Sequence, residues 1–268
     1  MLHIATIEEC CIILQLIFIT MLKEERLQLI LQHLQKDHRV VLSDLSKLLK
    51  VSEDTVRRDV KELSAQKLLK EVRGGAIPHA PGPLNFKERQ HYEIKKKQLI
   101  AKKAIQFIQK GQVVILDGGT SALAVADMLP EDLEITVVTN SFPIVNMLDE
   151  RKDIDVLFAG GKMLKDSLVT TGHDTISFFE SIKADLFFLG ICSIDLFAGV
   201  TGHYYDECAV KKAMIRSARK VIALSTPEKL NTAEAYSICP INAIKGIITS
   251  SQNDDLLKPY REAGIEVY

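Results

Sequence analysis

Cysteine is scarce and shows no pairing pattern. There are five, Cys10, Cys11, Cys192, Cys208 and Cys239, with no C-x-x-C pair and no histidine cluster at ligand spacing. An odd, scattered set argues against a disulfide framework or a structural zinc site and for a reducing compartment, so a cytoplasmic location is expected. Tryptophan is missing altogether. No run of 18 apolar residues occurs, which excludes a membrane-spanning helix and makes a membrane partner unexpected. The apolar stretch Ile12–Ile19 follows Glu8 and Glu9, lacks a basic lead and has no small-residue cleavage site after it, so it is a poor secretion signal. The dinucleotide fingerprint G-x-G-x-x-G, the phosphate loop G-x-x-x-x-G-K-[ST] and the nucleophile elbow G-x-S-x-G are all absent. No cofactor, metal or catalytic residue is therefore expected.

Hydrophobic residues, at 47%, are enough to fill a core, and 268 residues make one large domain or two modest ones. The net charge of −1 conceals an asymmetry: residues 21–80 carry 12 Lys/Arg against 9 Asp/Glu, while residues 81–268 carry 22 against 24. Nucleic-acid binding would thus have to come from the placement of cations rather than from bulk charge.

That placement is found in Val51–Lys61. Ser52 suits an N-cap, and Glu53 and Asp54 suit the positive end of a helix dipole. Val56, Val60 and Leu63 recur at i, i+4, i+7 as one apolar stripe, and Arg57, Arg58 and Lys61 fall on the opposite side. A short helix with a cationic outer face fits a DNA major groove. From this helix alone, an ordinary solvated amphipathic helix explains the pattern equally well. Its surroundings favour the groove. Leu27, Ile30, Leu31 and Leu34 lie at helical spacing. Ser43 is expected to cap a helix over Asp44–Lys50, with Leu45, Leu48 and Leu49 inward. A strand at Leu68–Val72, a turn at Arg73-Gly74-Gly75 and a return strand at Ala76-Ile77 follow. Three helices and a β-hairpin make a winged helix-turn-helix over residues 21–77. DNA contacts are expected from Ser52, Asp54, Thr55, Arg57, Arg58 and Lys61, with Lys70 and Arg73 of the wing against the phosphate backbone. Residues 1–20 are expected to be a dispensable extension or a mis-set start, because Met21-Leu22-Lys23-Glu24-Glu25-Arg26 reads as an ordinary beginning; the competing reading is an extra helix packed on a neighbour.

Pro78, Pro81, Gly82 and Pro83 mark residues 78–84 as a linker. Over residues 85–268, short apolar strands (Val113–Leu116, Ile135–Val138, Val156–Ala159, Leu186–Leu189, Val221–Leu224, Ile247–Thr249) alternate with helices, the first spanning Tyr92–Gln109. This alternation predicts an α/β domain with a parallel, doubly wound sheet. Ligands of such sheets bind beyond the carboxyl ends of the strands. There the chain carries Asp117-Gly118-Gly119-Thr120-Ser121, Thr139-Asn140-Ser141, Gly160-Gly161-Lys162 and Gly190. One Gly-Gly at a strand–helix turn is turn chemistry, but several polar or glycine-rich ends on one rim point to a small anionic ligand. Asp195, Asp206, Glu207 and Lys211 could serve acid–base work, though a solvated loop and helix face explains them as easily. Cys192 is expected to be buried, and His173 and His203 to be isolated loop residues.

The ordered series Ser52 to Val60, Leu63, Arg73-Gly74-Gly75-Ala76, Phe86-Lys87-Glu88-Arg89, Ile100-Ala101, Asp117-Gly118-Gly119-Thr120, Val138-Thr139-Asn140-Ser141, Gly160-Gly161, Gly172 and Phe188-Leu189-Gly190 resembles the DeoR family of bacterial transcription regulators, over about Met21–Tyr268. The resemblance implies a repressor, a homodimer or homotetramer on double-stranded operator DNA. Its C-terminal domain would resemble ribose-5-phosphate isomerase in fold and sense a phosphorylated sugar. By that analogy Asp117, Gly118, Gly119, Thr120, Ser121, Asn140, Ser141, Gly160, Gly161 and Gly190 line the effector pocket, and Lys211 and Lys229 match usual lysine positions. The chain departs from the family at Arg73 (usually His), Ser121 (usually Thr), Ser193 (usually Gly) and Thr226-Pro227-Glu228 (often Asp-Ser-Ser). Two other readings stand beside this one: a sugar-phosphate isomerase carrying a DNA-binding arm, marked by an acid–base pair facing the loop, and an interaction module whose winged domain binds protein.

Overall fold

A computed structural model describes residues 21–268 apart from His38, Lys67 and Leu84. The expectation for residues 1–20 lies outside the described residues. The chain divides into two compact units, Met1–Ala76 and Ile77–Tyr268.

In the first unit, helix α1 (Lys23–Asp37) is followed by the two-residue strand β1 (Val40–Val41), α2 (Leu42–Leu49), α3 (Glu53–Ala65) and the hairpin β2 (Lys70–Val72) and β3 (Gly75–Ile77). The strands are ordered β1-β3-β2, with Val40 opposite Ala76. The apolar stripes meet in one core around Ile30, Leu34, Leu45, Leu49, Val56, Val60, Leu63 and Leu69. Helix α2 corrects the sequence reading. It begins at Leu42 straight out of β1, with extended Val41 as an N-cap that makes no side-chain bond, so Ser43 is inside the first turn. The Leu42 amide donates instead to the Gly74 carbonyl at 2.9 Å, which ties the helix start to the wing. Leu48, expected inward, is half exposed.

The second unit is a seven-stranded sheet between two helical layers. Its strands are β4 (Val113–Leu116), β5 (Ile135–Thr139), β6 (Ile154–Phe158), β9 (Ala184–Gly190), β12 (Ala218–Ser225), β14 (Gly246–Thr249) and β15 (Glu266–Val267), ordered β15-β14-β12-β9-β4-β5-β6 and paired in parallel. Successive side chains of a strand serve opposite faces. Val114, Leu116, Leu186 and Phe188 join the core that includes Ile100, Leu123 and Ile144 of α5 (Ile94–Ala104), α6 (Thr120–Asp127) and α7 (Phe142–Leu148). Ile115, Phe187 and Leu189 join the other core, with Phe179, Met214 and Tyr260 of α8 (His173–Glu180), α9 (Tyr205–Ser217) and α10 (Asp254–Glu262). Strands buried on both faces read as continuous apolar runs, which is why they were legible.

Three features differ from the sequence reading. The single helix expected over Tyr92–Gln109 is shorter, α5 from Ile94 to Ala104 followed by a 3-10 turn at Ile105–Phe107, and a separate unforeseen helix, α4 (Phe86–His91), precedes it; Glu93, at φ +54°, breaks the two helices apart. Two small antiparallel sheets were not foreseen: β7 (Lys162–Leu164) with β8 (Val169–Thr171), and β10 (Ser193–Asp195), β11 (Gly199–Gly202) and β13 (Tyr236–Cys239). Pro78 to Ala80, read as linker, are tied into the second unit. The Pro78 carbonyl accepts from Ala233 N, and the Ala80 amide donates to Glu234.

Candidate functional site

Ser52 caps α3: its Oγ accepts from the Thr55 amide at 3.2 Å and lies 2.9 Å from the Thr55 hydroxyl. Left-handed Lys50 (φ +52°) closes α2, and Ser46 Oγ donates to the Val51 carbonyl at 2.6 Å, which shapes the turn between the two helices. Val56, Val60 and Leu63 are buried, and Asp54, Arg57, Arg58 and Lys61 are exposed. Arg58 spans one turn back to Asp54 at 2.8 Å. Sequence reading missed a device on the inner side. Asp59 is buried and accepts from Arg26 Nε at 2.5 Å and Nη2 at 3.0 Å, a two-point clamp that fixes α3 against α1. In the wing, Arg73 is exposed, Lys70 is half-buried and Gly74 takes φ +81°. Gly75 has a different constraint: a Cβ there would lie 1.9 Å from the Val40 carbonyl oxygen.

In the second unit, two adjoining clefts, one smaller than the other, open beyond the ends of β4, β9 and β12, and both are lined by Arg89, Thr120, Cys192 and Lys229. The smaller adds Gly119, Ser121, Gly190, Glu207 and Lys211, so the amino end of α6 faces it. The first amides of a helix have no partner within it and attract an anion. Cys192, expected buried, is half-buried at this wall. Asp117 does not line the cleft. Its carboxylate accepts from Lys211 Nζ at 2.7 Å, Gly190 N at 2.9 Å and Gly119 N at 3.1 Å, so it is a pillar beneath the loop. Gly118 lies beside it, where a Cβ would come 1.9 Å from Val169 Cγ1.

Lys211 also approaches Glu207 at 3.5 Å, and Glu207 accepts from Ser167 Oγ at 2.8 Å. Burial alone lowers the Lys211 pKa, but Asp117 and Glu207 outweigh it and the pKa rises. Burial lifts Asp117, against the opposing pull of Lys211 and the Gly119 amide. The three donors on Asp117 favour an ionised pair, because a protonated carboxyl would lose the charge-assisted bond at 2.7 Å. Lys229 donates to the Ile191 carbonyl at 2.7 Å, and burial pushes its pKa down. Lys97 is buried and donates to the Arg89 and Tyr92 carbonyls; burial, then repulsion from Lys229 and Arg89, lowers it to about 8. The Arg89 Nε is buried without a hydrogen-bond partner. Cations thus converge on one cleft, while the nearest carboxylates, Glu207 and Glu228, are engaged by Lys211 and Lys96.

Of the expected pocket residues, Gly119, Thr120, Ser121, Gly190, Lys211 and Lys229 meet at this cleft. Asn140, Ser141, Gly160 and Gly161 do not line it. Asn140 Nδ2 donates to the Thr170 carbonyl at 2.8 Å, and the Gly160 carbonyl accepts from Thr175 at 2.7 Å, so both serve the packing of β8 and α8. Asp195 accepts from the Phe197 and Ala198 amides and closes the β10–β11 turn. Arg89, Lys97 and the wall Ala80–Pro83 were missed as site residues; the first two lie in amphipathic helix patterns that look like solvated faces, and the third reads as linker. His203, expected to be isolated, lies 3.1 Å from buried Glu234. Among the described residues no three His, Cys, Asp or Glu side chains gather as a metal site, and no helix is long and apolar enough to cross a membrane.

Residues 26–79 match the family model of the DeoR-like helix-turn-helix domain, and residues 92–251 match that of the DeoR C terminal sensor domain. The chain belongs to the DeoR family of transcriptional regulators. Among curated relatives of this regulator, the HTH-type transcriptional repressor GlcR of Bacillus subtilis is 32% identical over 231 residues, covering 85% of this chain and 89% of that one. The glycerol-3-phosphate regulon repressor of Escherichia coli K12 is 26% identical over 223 residues, 83% of this chain and 88% of that one. Among solved structures, ribose 5-phosphate isomerase A of Methanocaldococcus jannaschii is similar at a TM-score of 0.37 and 16% identity, over 50% of this chain and 52% of that one. So the regulator joins a helix-turn-helix unit, which carries DNA binding, to a sensor unit.

Proposed function

We propose that this regulator represses a carbohydrate-utilisation operon from the cytoplasm, as a dimer or tetramer, and that a phosphorylated sugar in the sensor cleft releases it from operator DNA. The observation that carries the reading is the convergence of Arg89, Lys97 and Lys229 on the open amino end of α6. Lys97 is buried and Arg89 and Lys229 are half-buried, and such cations in mutual repulsion are costly when the cleft is empty and are relieved by a phosphate dianion. The relatives' names, a glycerol-3-phosphate regulon repressor among them, agree with an effector of this class. On the DNA side, Arg57, Arg58 and Lys61 would meet base edges and phosphates, Ser52, Asp54 and Thr55 would set the helix end at the groove, and Lys70 and Arg73 would follow the backbone.

Against the isomerase reading, Asp195 is committed to a turn, and Glu207, which lines the cleft, is held by Lys211 and Ser167. A thermal-shift panel of phosphorylated sugars tests the effector, since a ligand of the folded state raises the melting temperature by mass action. The compound that raises it should release the regulator from DNA upstream of its own operon in an anisotropy titration. Thr120→Val should abolish that release and leave DNA binding intact. A stabilising sugar phosphate that never alters DNA binding would overturn the reading.

A further inference from the structure

The segment Pro78–Pro83 is a structured strap over the sensor cleft, and Ala80, Pro81, Gly82 and Pro83 form one of its walls. Bonds to Ala233 and Glu234 hold it. The Pro78 carbonyl accepts from Ala233 N at 3.3 Å, His79 Nδ1 lies 3.1 Å from Glu234 Oε2, and the Ala80 amide donates to Glu234 Oε1 at 3.2 Å. At the far end, Gly82 takes φ +122° and turns against the Tyr92 ring, which a Cβ there would meet at 3.3 Å. Glu234 is buried and fixed from behind, its own amide donating to Thr201 Oγ1 at 2.8 Å. The same Glu234 Oε2 also holds His203 at 3.1 Å, and His203 lines the cleft beside the strap. One carboxylate therefore grips a residue of the strap and a residue of the ligand wall. Pro78 follows Ile77, the last residue of wing strand β3, with nothing between.

We propose that His79, Glu234 and His203 form a clasp that lets the strap close on an anion in the cleft, so that occupancy of the sensor fixes the path of the chain leaving the wing. The inference rests on the anion-site reading given above. A ligand between Thr120 and the strap gains contacts with Ala80–Pro83 that exist only when the strap is down. It must then stabilise the closed strap by the same factor as the closed strap stabilises it. His203 links the two, because it lines the cleft and its Nδ1 is held by the carboxylate that holds His79.

The test is hydrogen exchange of the full chain, with inorganic phosphate titrated against chloride at equal ionic strength. The expected result is slower exchange at Thr120 and Ser121 together with slower exchange at Ala80 and Gly82. In His79→Ala, phosphate should still protect Thr120 and Ser121 but bind roughly tenfold more weakly, the size of one lost charge-assisted bond, and protection of the strap should disappear. His79→Gln, which keeps a donor near Glu234, should restore part of both effects and show that the loss is not general unfolding. Protection at Thr120 and Ser121 with strap exchange unchanged would overturn the clasp and leave the anion site standing. Protection at neither place would overturn both.

Discussion

Lys211 is the residue on which the sensor loop depends most. It is a buried ammonium between Asp117 and Glu207 and also donates to the Gly190 carbonyl at 2.6 Å. Lys211→Met would leave two carboxylates facing a buried gap, and breaking one side of such a cluster costs about 3–5 kcal/mol. The sensor unit should melt well below wild type in calorimetry while α3 still folds; an unchanged melting temperature would show that the pair carries little. Lys97 behaves in the opposite sense. Its pKa is about 8 in the folded chain, below the ordinary lysine value. The folded chain therefore sheds this proton before the unfolded one does, and stability rises with pH from about 8 to about 10.5 as that difference is expressed. A bound phosphate restores the charge. Binding near pH 8.5 should take up a fraction of a proton, roughly three-quarters for a pKa raised well above that pH. Calorimetry in two buffers of different ionisation heat reads it directly, and equal apparent enthalpies would rule it out. Neither effect was legible in the sequence. Lys97 and Lys211 sit in helices whose periodicity gives a face but not the distant loop that the face meets.

At the scale of the element, α3 and the wing act as one reading unit because the Arg26–Asp59 clamp and the Leu42–Gly74 bond fix both to the same core. Arg57→Ala should cost about 1–3 kcal/mol in operator affinity and relax selectivity at one base position. Lys61→Ala should weaken all DNA alike and lower the salt slope by about one. Anisotropy across a salt series separates the two, and no change in either variant would remove α3 from the interface. Gly75→Ala should disrupt the wing through the Val40 carbonyl, with a loss of roughly 2 kcal/mol or more, seen as a lower melting temperature together with weaker DNA binding. Elements whose signals are local were readable: α3 has its cap, stripe and charges within Ser52–Leu63, and the inner strands announce themselves as apolar runs. The short strands β10, β11 and β13 were not, because three or four residues with Gly199 and Gly202 among them carry no period and pair only through the tertiary fold. The family departures Ser193 and Glu228 became intelligible only in space. Ser193 Oγ reaches Glu234 at 3.5 Å and Glu228 holds Lys96 at 3.2 Å, both beside the cleft.

At the scale of the whole molecule, a sugar phosphate can change operator affinity only by preferring one arrangement of the chain over another. Couplings of this kind are typically about 1–3 kcal/mol, a factor of roughly 5–150. Thermodynamics then requires operator DNA to weaken sugar-phosphate binding by the same factor. One winged unit presents one reading helix, so a specific site needs two copies on half-sites about one DNA turn apart, or on more widely spaced sites. Sedimentation of the free regulator should therefore give two or four copies, and a half-site oligonucleotide should bind far more weakly than the paired site. The decisive measurement closes the cycle. Operator affinity is titrated with and without the effector, and effector affinity with and without a paired operator. A factor well above one, the same in both arms, shows that cleft and reading helix share one equilibrium. If the sugar phosphate binds the regulator while operator affinity stays the same with and without it, the sensor cleft is not coupled to the reading helix and is not the switch.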